Sequence, residues 1–140
     1  MAQKKITGGC LCGAVRYEVT GPLREVVACH CGMCRRATGS FVHATAARLG
    51  DFRLTRQDGL TWYRSSPEAQ RGFCKTCGGN LFWQGEGLPY TCIMAGSMDG
   101  ETGLKLVSHI YAGDKGDYYI LEDGVPRRDD GAHGVTIPSV

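Results

Sequence analysis

Cysteine spacing is the feature that most constrains how this chain can fold. Seven of its eight cysteines fall into three short motifs: C-x-C at residues 10–12, C-x-C-x-x-C at residues 29–34 and C-x-x-C at residues 74–77. Sulfurs this close in sequence can meet around one ion, and in a reducing compartment such clusters indicate metal ligands before they indicate disulfides. The motifs therefore predict a fold that thiolate-bound metal holds together.

The first and third motifs together predict one closed zinc site. Side chains at positions i and i+2 of an extended segment point to the same face, so Cys10 and Cys12 aim both sulfurs in one direction. Cys74 and Cys77, followed by two glycines, have the form of a zinc knuckle, in which a turn brings two sulfurs to one ion. Four thiolates complete a tetrahedral shell, which predicts a structural zinc that contributes to folding free energy. Disulfide bonds are the alternative interpretation of these four cysteines.

The middle motif predicts a second zinc site with three protein ligands. Cys29 and Cys31 share a face by the same alternation, and Cys34 follows after two intervening residues. Three protein ligands plus one exchangeable position is the pattern of a catalytic zinc, whose open position could hold water or the sulfur of a thiol substrate. The alternative is a structural zinc closed by a fourth protein ligand. Cys92 is the candidate for that ligand, although its apolar neighbours favour a buried thiol.

Other side chains near the motifs are candidates for supporting roles. His30 alternates away from the sulfurs on either side, which argues against it as a ligand. His109 is a candidate acid or base, with an ordinary core or surface imidazole as the alternative. Arg35 and Arg36 directly follow the middle motif and could hold a substrate carboxylate, or could be solvated charges. Arg71 precedes Cys74 by three residues and is expected to brace the first site.

The hydrophobic pattern predicts a mainly β fold in a single domain. Val15, Tyr17 and Val19 alternate with polar residues, and the same period of two recurs along the chain. The 21 glycines and turn pairs such as Asp58-Gly59 separate the runs, which favours short strands over long helices. A short helical turn is expected at residues 32–37, and the polar stretch after Pro126 is expected to be loosely held. Strands are expected within residues 15–19, 26–31, 41–46, 52–54, 60–63, 72–74, 81–83, 90–95, 107–111 and 118–121.

Charge and hydropathy argue against two classes of partner. The formal net charge is only +2 at pH 7, and zinc-bound thiolates would make it slightly negative, so no basic field indicates nucleic acid. No apolar run approaches the roughly 20 residues of a membrane helix. Residues 1–8 include lysines but lack the apolar core of a secretory signal, so we expect a cytoplasmic location.

Five segments, taken in order along the chain, carry a family resemblance. They are Gly8-Gly9-Cys10-Leu11-Cys12-Gly13, Cys29-His30-Cys31-Gly32-Met33-Cys34, Arg71-Gly72-Phe73-Cys74-Lys75-Thr76-Cys77-Gly78, Gly96-Ser97-Met98-Asp99 and Ser108-His109-Ile110-Tyr111. This pattern resembles the glutathione-dependent formaldehyde-activating enzyme (GFA) family, whose zinc domain a centromere protein also carries. The resemblance covers residues 5–125 as a GFA-type zinc-binding domain and leaves residues 126–140 as a polar C-terminal tail.

The resemblance implies a β-tent of stacked antiparallel sheets with two zinc ions per chain. It implies a structural zinc on Cys10, Cys12, Cys74 and Cys77, and a second zinc on Cys29, Cys31 and Cys34. We expect this triplet to be the catalytic site and its zinc to be the more labile. The activity it implies is that of a carbon–sulfur lyase, which joins formaldehyde and glutathione to S-hydroxymethylglutathione.

Our leading hypothesis is therefore a zinc-dependent enzyme acting on a small thiol and an aldehyde, with neither nucleic acid nor membrane as partner and with the oligomeric state left open. The rival hypothesis is a non-catalytic zinc module that binds a protein partner.

One departure from the family pattern concerns the substrate pocket. Where family members often carry Lys-x-Pro-Trp, this chain has Lys115-Gly116-Asp117-Tyr118, which leaves open whether glutathione is the thiol.

Overall fold

The computed structural model describes residues 5–139, which form two β-sheets with little helix. The small antiparallel sheet has the order β1 (Lys5–Gly9), β2 (Val15–Thr20) and β5 (Phe52–Gln57). The large sheet has the order β10 (Leu106–Ile110), β3 (Val26–Cys29), β4 (Val42–Arg48), β9 (Tyr90–Met94), β8 (Asn80–Gly85), β7 (Ala69–Cys74) and β6 (Leu60–Ser66). Its pairs are antiparallel except for β10 with β3, which run parallel. The prediction of a mainly β fold is confirmed.

Helical structure is limited to short segments. The α-helix α1 (Gly32–Thr38) matches the predicted helical turn, and Gly39 ends it in the left-handed conformation that glycine adopts without penalty. Single 3-10 turns lie at Leu49–Asp51, Ala95–Ser97 and Ala112–Asp114. Among residues 5–139, no helix has the length and apolar character needed to span a membrane.

The main core lies between the two sheets. Val15, Tyr17 and Val19 alternate along β2 and are almost fully buried, because one face of the small sheet packs on the large sheet. The rings of Tyr17 and Phe82, one from each sheet, meet edge to face with centroids 5.4 Å apart. Phe52 packs on Phe82 in the same way, so aromatic contacts join the layers.

A smaller apolar cluster covers the opposite, outer face of the large sheet. Val42, Ala44 and Ala46 alternate along β4 toward this face, and Cys92 of β9 joins them. Ile137 from the C-terminal segment packs against the cluster. This outer face is also the face that carries the middle cysteine motif.

The segment after residue 125 is tied to the domain, which contradicts the expectation that it is loosely held. The backbone N–H of His109 donates to Pro126 O at 2.9 Å, and the N–H of Arg128 donates to His109 O at 2.9 Å. Arg48 Nη2 donates to Pro138 O at 2.7 Å. The expectation was wrong because β10 is an edge strand whose backbone groups need partners, and the tail supplies them.

Two other expectations differ from the structure at the level of single strands. Lys5–Gly9 is a strand that we did not predict, because Gly8 and Gly9 look like a loop in the sequence. Glycine is needed at Gly8 because a Cβ there would collide with the Tyr17 hydroxyl. Residues 118–121 form no strand, since none of the described strands pairs with them.

Candidate metal centres

The first and third cysteine motifs meet in one four-sulfur cluster. The Sγ atoms of Cys10, Cys12, Cys74 and Cys77 all lie within 4.8 Å of one another. Cys12 Sγ lies 3.7 Å from both Cys10 Sγ and Cys74 Sγ. Four sulfurs at ~2.3 Å from a tetrahedral zinc stand about 3.8 Å apart, whereas a disulfide needs about 2.05 Å, so this cluster could hold zinc and contains no disulfide.

Backbone donors prepare this cluster for thiolates. The N–H of Val15 donates to Cys10 Sγ at 3.3 Å. The backbone N–H groups of Cys12 and Gly79 hydrogen-bond to the sulfur of Cys77 and lower its pKa to about 6. Gly78 adopts a φ of 77°, the left-handed conformation that a zinc knuckle requires of glycine. The donor set and its surroundings fit a divalent metal that prefers sulfur.

The position of this cluster explains what it holds together. Cys10 and Cys12 lie in the connection between β1 and β2, both in the small sheet. Cys74 ends β7, and Cys77 lies in the turn before β8, both in the large sheet. A metal bound here would link the ends of the two sheets.

The middle motif forms a separate three-sulfur cluster. The Sγ atoms of Cys29, Cys31 and Cys34 lie within 4.8 Å of one another. Cys29 ends β3, Cys31 caps the N-terminus of α1, and Cys34 lies one turn into the helix. Cys31 Sγ accepts a hydrogen bond from the backbone N–H of Cys34 at 3.3 Å, so the helix start fixes this sulfur. Cys34 is buried, whereas Cys29 and Cys31 are partly exposed, so solvent reaches the cluster on one side.

Charge is distributed unequally over these three sulfurs. Hydrogen bonds from the Cys29 and Cys34 thiols, followed by those from the backbone N–H groups of Cys34 and Met33, lower the pKa of Cys31 far below its ordinary value. The contacts with Cys31 and Cys34, together with burial, raise the pKa of Cys29. Cys31 is therefore the thiolate around which the other two sulfurs assemble, and a metal that binds all three would release protons.

Within the described residues, no further cysteine, histidine or carboxylate joins the three-sulfur cluster. Cys92, the candidate for a fourth ligand, packs in the same apolar cluster but lies outside the group of mutually close sulfurs. Desolvation raises the pKa of Cys92, as expected for a thiol that is enclosed by apolar neighbours. The cluster thus offers three protein ligands.

His30 and His109 form a different arrangement on the other face of the large sheet. His30 Nε2 lies 2.8 Å from His109 Nδ1, and His109 Nε2 lies 2.8 Å from Asp123 Oδ2. His30 Nδ1 is hydrogen-bonded to the hydroxyl of Tyr119. Both imidazoles are buried, and desolvation lowers the pKa of His30 to about 4. Sequence reasoning singled out His109 but missed Tyr119 and Asp123, because nothing in their spacing relates them to the histidines.

Arg71 contacts the second cluster, which corrects the expectation that it braces the first. Its Nη2 lies 3.7 Å from Cys34 Sγ. Arg71 pairs with Trp83 across the sheet, and Trp83 pairs with Cys92, so all three side chains share the outer face. Cys74 lies three residues further along β7, an odd offset that places it on the inner face. Arg35 and Arg36 lie on α1 as predicted.

Two cavities lie near the start of β4, and Phe41 and His43 line both of them. One, of about 550 Å³, is lined by Arg16, Thr38, Asn80, Ser97 and Asp99 among others. The other, of about 570 Å³, is lined by His109, Tyr118, Tyr119, Glu122 and Asp123 among others. Tyr118, which stands in the region of the departure from the family pattern, therefore lines a cavity.

Comparison with known proteins places these features in a family. The family model described as glutathione-dependent formaldehyde-activating enzyme matches residues 5–114, which include both cysteine clusters. A crystal structure of a protein from Rhodobacter sphaeroides is similar, with a TM-score of 0.60 and 29% sequence identity. The similarity covers 87% of this chain and 99% of that one. With its two cysteine clusters and its two-sheet fold, the chain belongs to the glutathione-dependent formaldehyde-activating enzyme family.

Proposed function

We propose that this protein is a zinc-dependent carbon–sulfur lyase that joins or cleaves a small, glutathione-like thiol and an aldehyde such as formaldehyde. The observation that carries the proposal is the three-sulfur cluster of Cys29, Cys31 and Cys34, to which the described residues add no fourth protein ligand. Family membership supports the choice of thiol and aldehyde.

The two clusters take different roles in this proposal. Cys10, Cys12, Cys74 and Cys77 would hold a structural zinc, because four thiolates fill its tetrahedral shell. Cys29, Cys31 and Cys34 would hold a second, more labile zinc with one exchangeable position. At that position zinc would lower the pKa of a bound thiol, so that the thiol is deprotonated at neutral pH.

The reaction needs no oxidant or reductant. A new bond forms between the thiol sulfur and the aldehyde carbon, the carbonyl π electrons move to oxygen, and the proton lost from sulfur is balanced by one gained at oxygen. The protein's own residues position the three sulfurs of the second cluster and set the charge around them. The N–H of Cys34 fixes Cys31 Sγ, and Arg71 places a positive charge beside Cys34 Sγ. Partial exposure of Cys29 and Cys31 leaves an approach for a thiol.

Exchange NMR of a mixture of formaldehyde and glutathione tests the proposal, because it measures adduct formation and breakdown at equilibrium. The wild-type protein should accelerate exchange above the uncatalysed rate, and Cys31→Ser should abolish the acceleration. Cys92→Ser is the matched control and should retain it. Equal rates for wild type, Cys31→Ser and the uncatalysed mixture would leave the rival non-catalytic protein-binding module as the better account.

Cellular context and chain organisation complete the proposal. We place the protein in the reducing cytoplasm, where its thiols would remain free to bind metal. We take residues 5–125 as the zinc-binding domain and residues 126–140 as its C-terminal tail, whose described part is hydrogen-bonded to β10 and to Arg48.

A further inference from the structure

Arg71 is the charged side chain that reaches the second cysteine cluster. Its Nη2 lies 3.7 Å from Cys34 Sγ, within the range of a hydrogen bond to sulfur. Among residues 5–139, Arg71 is the only charged side chain that forms a hydrogen bond to a sulfur of this cluster. Arg35 and Arg36, which follow Cys34 directly, form none.

The sheet holds Arg71 firmly in this place. Its strand β7 is paired on both sides, with Arg71 opposite Tyr63 of β6 and opposite Trp83 of β8. The side chain is partly buried, so its charge is less screened than that of a fully exposed arginine.

Among residues 5–139, no carboxylate forms an ion pair with the Arg71 guanidinium. Within the described part of the chain, ion pairs join arginines to acids at Arg16, Arg48, Arg53, Arg56, Arg64 and Arg128, but not at Arg71. The sulfur of Cys34 is thus the group that Arg71 faces, and as a metal ligand this sulfur would be a thiolate.

The contact between Arg71 and Cys34 affects which ligand the metal centre would prefer, because it changes the balance of charge around the metal. Three thiolates outweigh the charge of one divalent ion, so the loaded centre carries a net negative charge. A thiolate ligand adds another negative charge, whereas a neutral ligand such as imidazole adds none. A nearby guanidinium therefore favours the anionic ligand selectively.

We propose that Arg71 is a specificity-determining residue of the second centre: it offsets the charge of an incoming thiolate, so that the centre takes anionic sulfur in preference to a neutral ligand. The inference rests on the proposed function only in treating this centre as the thiol site.

Ligand binding to the cobalt-substituted protein tests this directly, because cobalt(II) spectra report a change of ligand without any turnover. 2-Mercaptoethanol, which carries no charge apart from its sulfur, and imidazole are titrated separately. Arg71→Gln should bind 2-mercaptoethanol about tenfold more weakly than wild type, while imidazole affinity stays within about twofold. Arg71→Lys, which keeps the charge, should bind 2-mercaptoethanol within about threefold of wild type.

Arg64→Gln is the matched control, since Arg64 lies on the adjacent strand β6 and pairs with Glu86. It should leave both affinities unchanged. Wild-type affinity of Arg71→Gln for 2-mercaptoethanol would overturn the inference, and so would an equal loss of both ligands. Should Arg71→Gln fail to fold, Arg71→Lys decides: retained thiolate binding supports the charge role, and an equal loss of both ligands overturns it.

The titration contains no aldehyde, so its result is separate from that of the exchange experiment. If thiolate binding depends on Arg71 but the protein does not catalyse exchange, the proposed function alone is wrong. If the protein catalyses exchange but thiolate binding does not depend on Arg71, this inference alone is wrong.

Discussion

His30 Nε2 and His109 Nδ1 lie 2.8 Å apart, in the middle of a hydrogen-bonded chain that runs from Tyr119 to Asp123. The carboxylate can only accept, so His109 donates its Nε2–H to Asp123. His109 Nδ1 is then free to accept from His30 Nε2–H, and His30 Nδ1 accepts from the Tyr119 hydroxyl. One set of tautomers satisfies both buried imidazoles and their two partners.

Imidazole nitrogen shifts measured by NMR test this assignment. Both His30 and His109 should show the Nε2–H tautomer at neutral pH, because the chain of donors leaves each Nδ1 as an acceptor. Tyr119→Phe is the control: it removes the donor to His30 Nδ1, yet His30 should keep its Nε2–H, because His109 Nδ1 still accepts from it while His109 keeps its bond to Asp123. An Nδ1–H tautomer at His30 in the wild type would contradict the assignment.

The sorting of the cysteines could be predicted because it depends on local geometry. Alternation along an extended segment places Cys10 with Cys12 and Cys29 with Cys31, and the structure brings the predicted groups of four and three together. The same alternation directs His30 away from Cys29 and Cys31. Pairing of the distant segments followed from the number of ligands that zinc requires.

Contacts set by strand register could not be read from the sequence in the same way. Arg71 reaches Cys34 because β7 lies beside β8 in the large sheet. The order of strands in a sheet cannot be inferred from the sequence positions of Arg71 and Cys34. The partnership of His109 with Asp123 likewise depends on how the segment after β10 folds back. The strand Lys5–Gly9 was hidden because its two glycines reflect close approaches of other groups, Tyr17 at Gly8 and the Val15 carbonyl at Gly9, and not strand propensity.

The two clusters should differ in what they contribute to stability. Cys77→Ser should remove one zinc and lower the unfolding free energy by several kcal/mol, roughly 3 or more, because the first cluster links the two sheets. Cys31→Ser should also remove one zinc but cost less, since Cys29 ends a strand that leads directly into the helix carrying Cys34. Metal analysis combined with denaturant unfolding measures both effects. A larger loss for Cys31→Ser than for Cys77→Ser would reverse the proposed roles.

The C-terminal tail should contribute measurably through Ile137. This side chain packs against the apolar cluster on the outer face of the large sheet, so Ile137→Ala should lower the unfolding free energy by about 1–2 kcal/mol. Ile120→Ala is the matched control because Ile120 is 75% exposed, and its effect should stay within about 0.5 kcal/mol. Equal effects of the two substitutions, measured by denaturant unfolding, would show that the tail does not pack as described.

Zinc K-edge X-ray absorption of the fully loaded protein tests the central claim most directly, because it counts the sulfur atoms around the metal. One closed and one open centre should give an average of about 3.5 sulfurs per zinc together with a lighter ligand, rising to about 4 sulfurs when glutathione is added. An average of about 4 sulfurs before any thiol is added would contradict the account, since Cys92 or another sulfur would then already close the second centre.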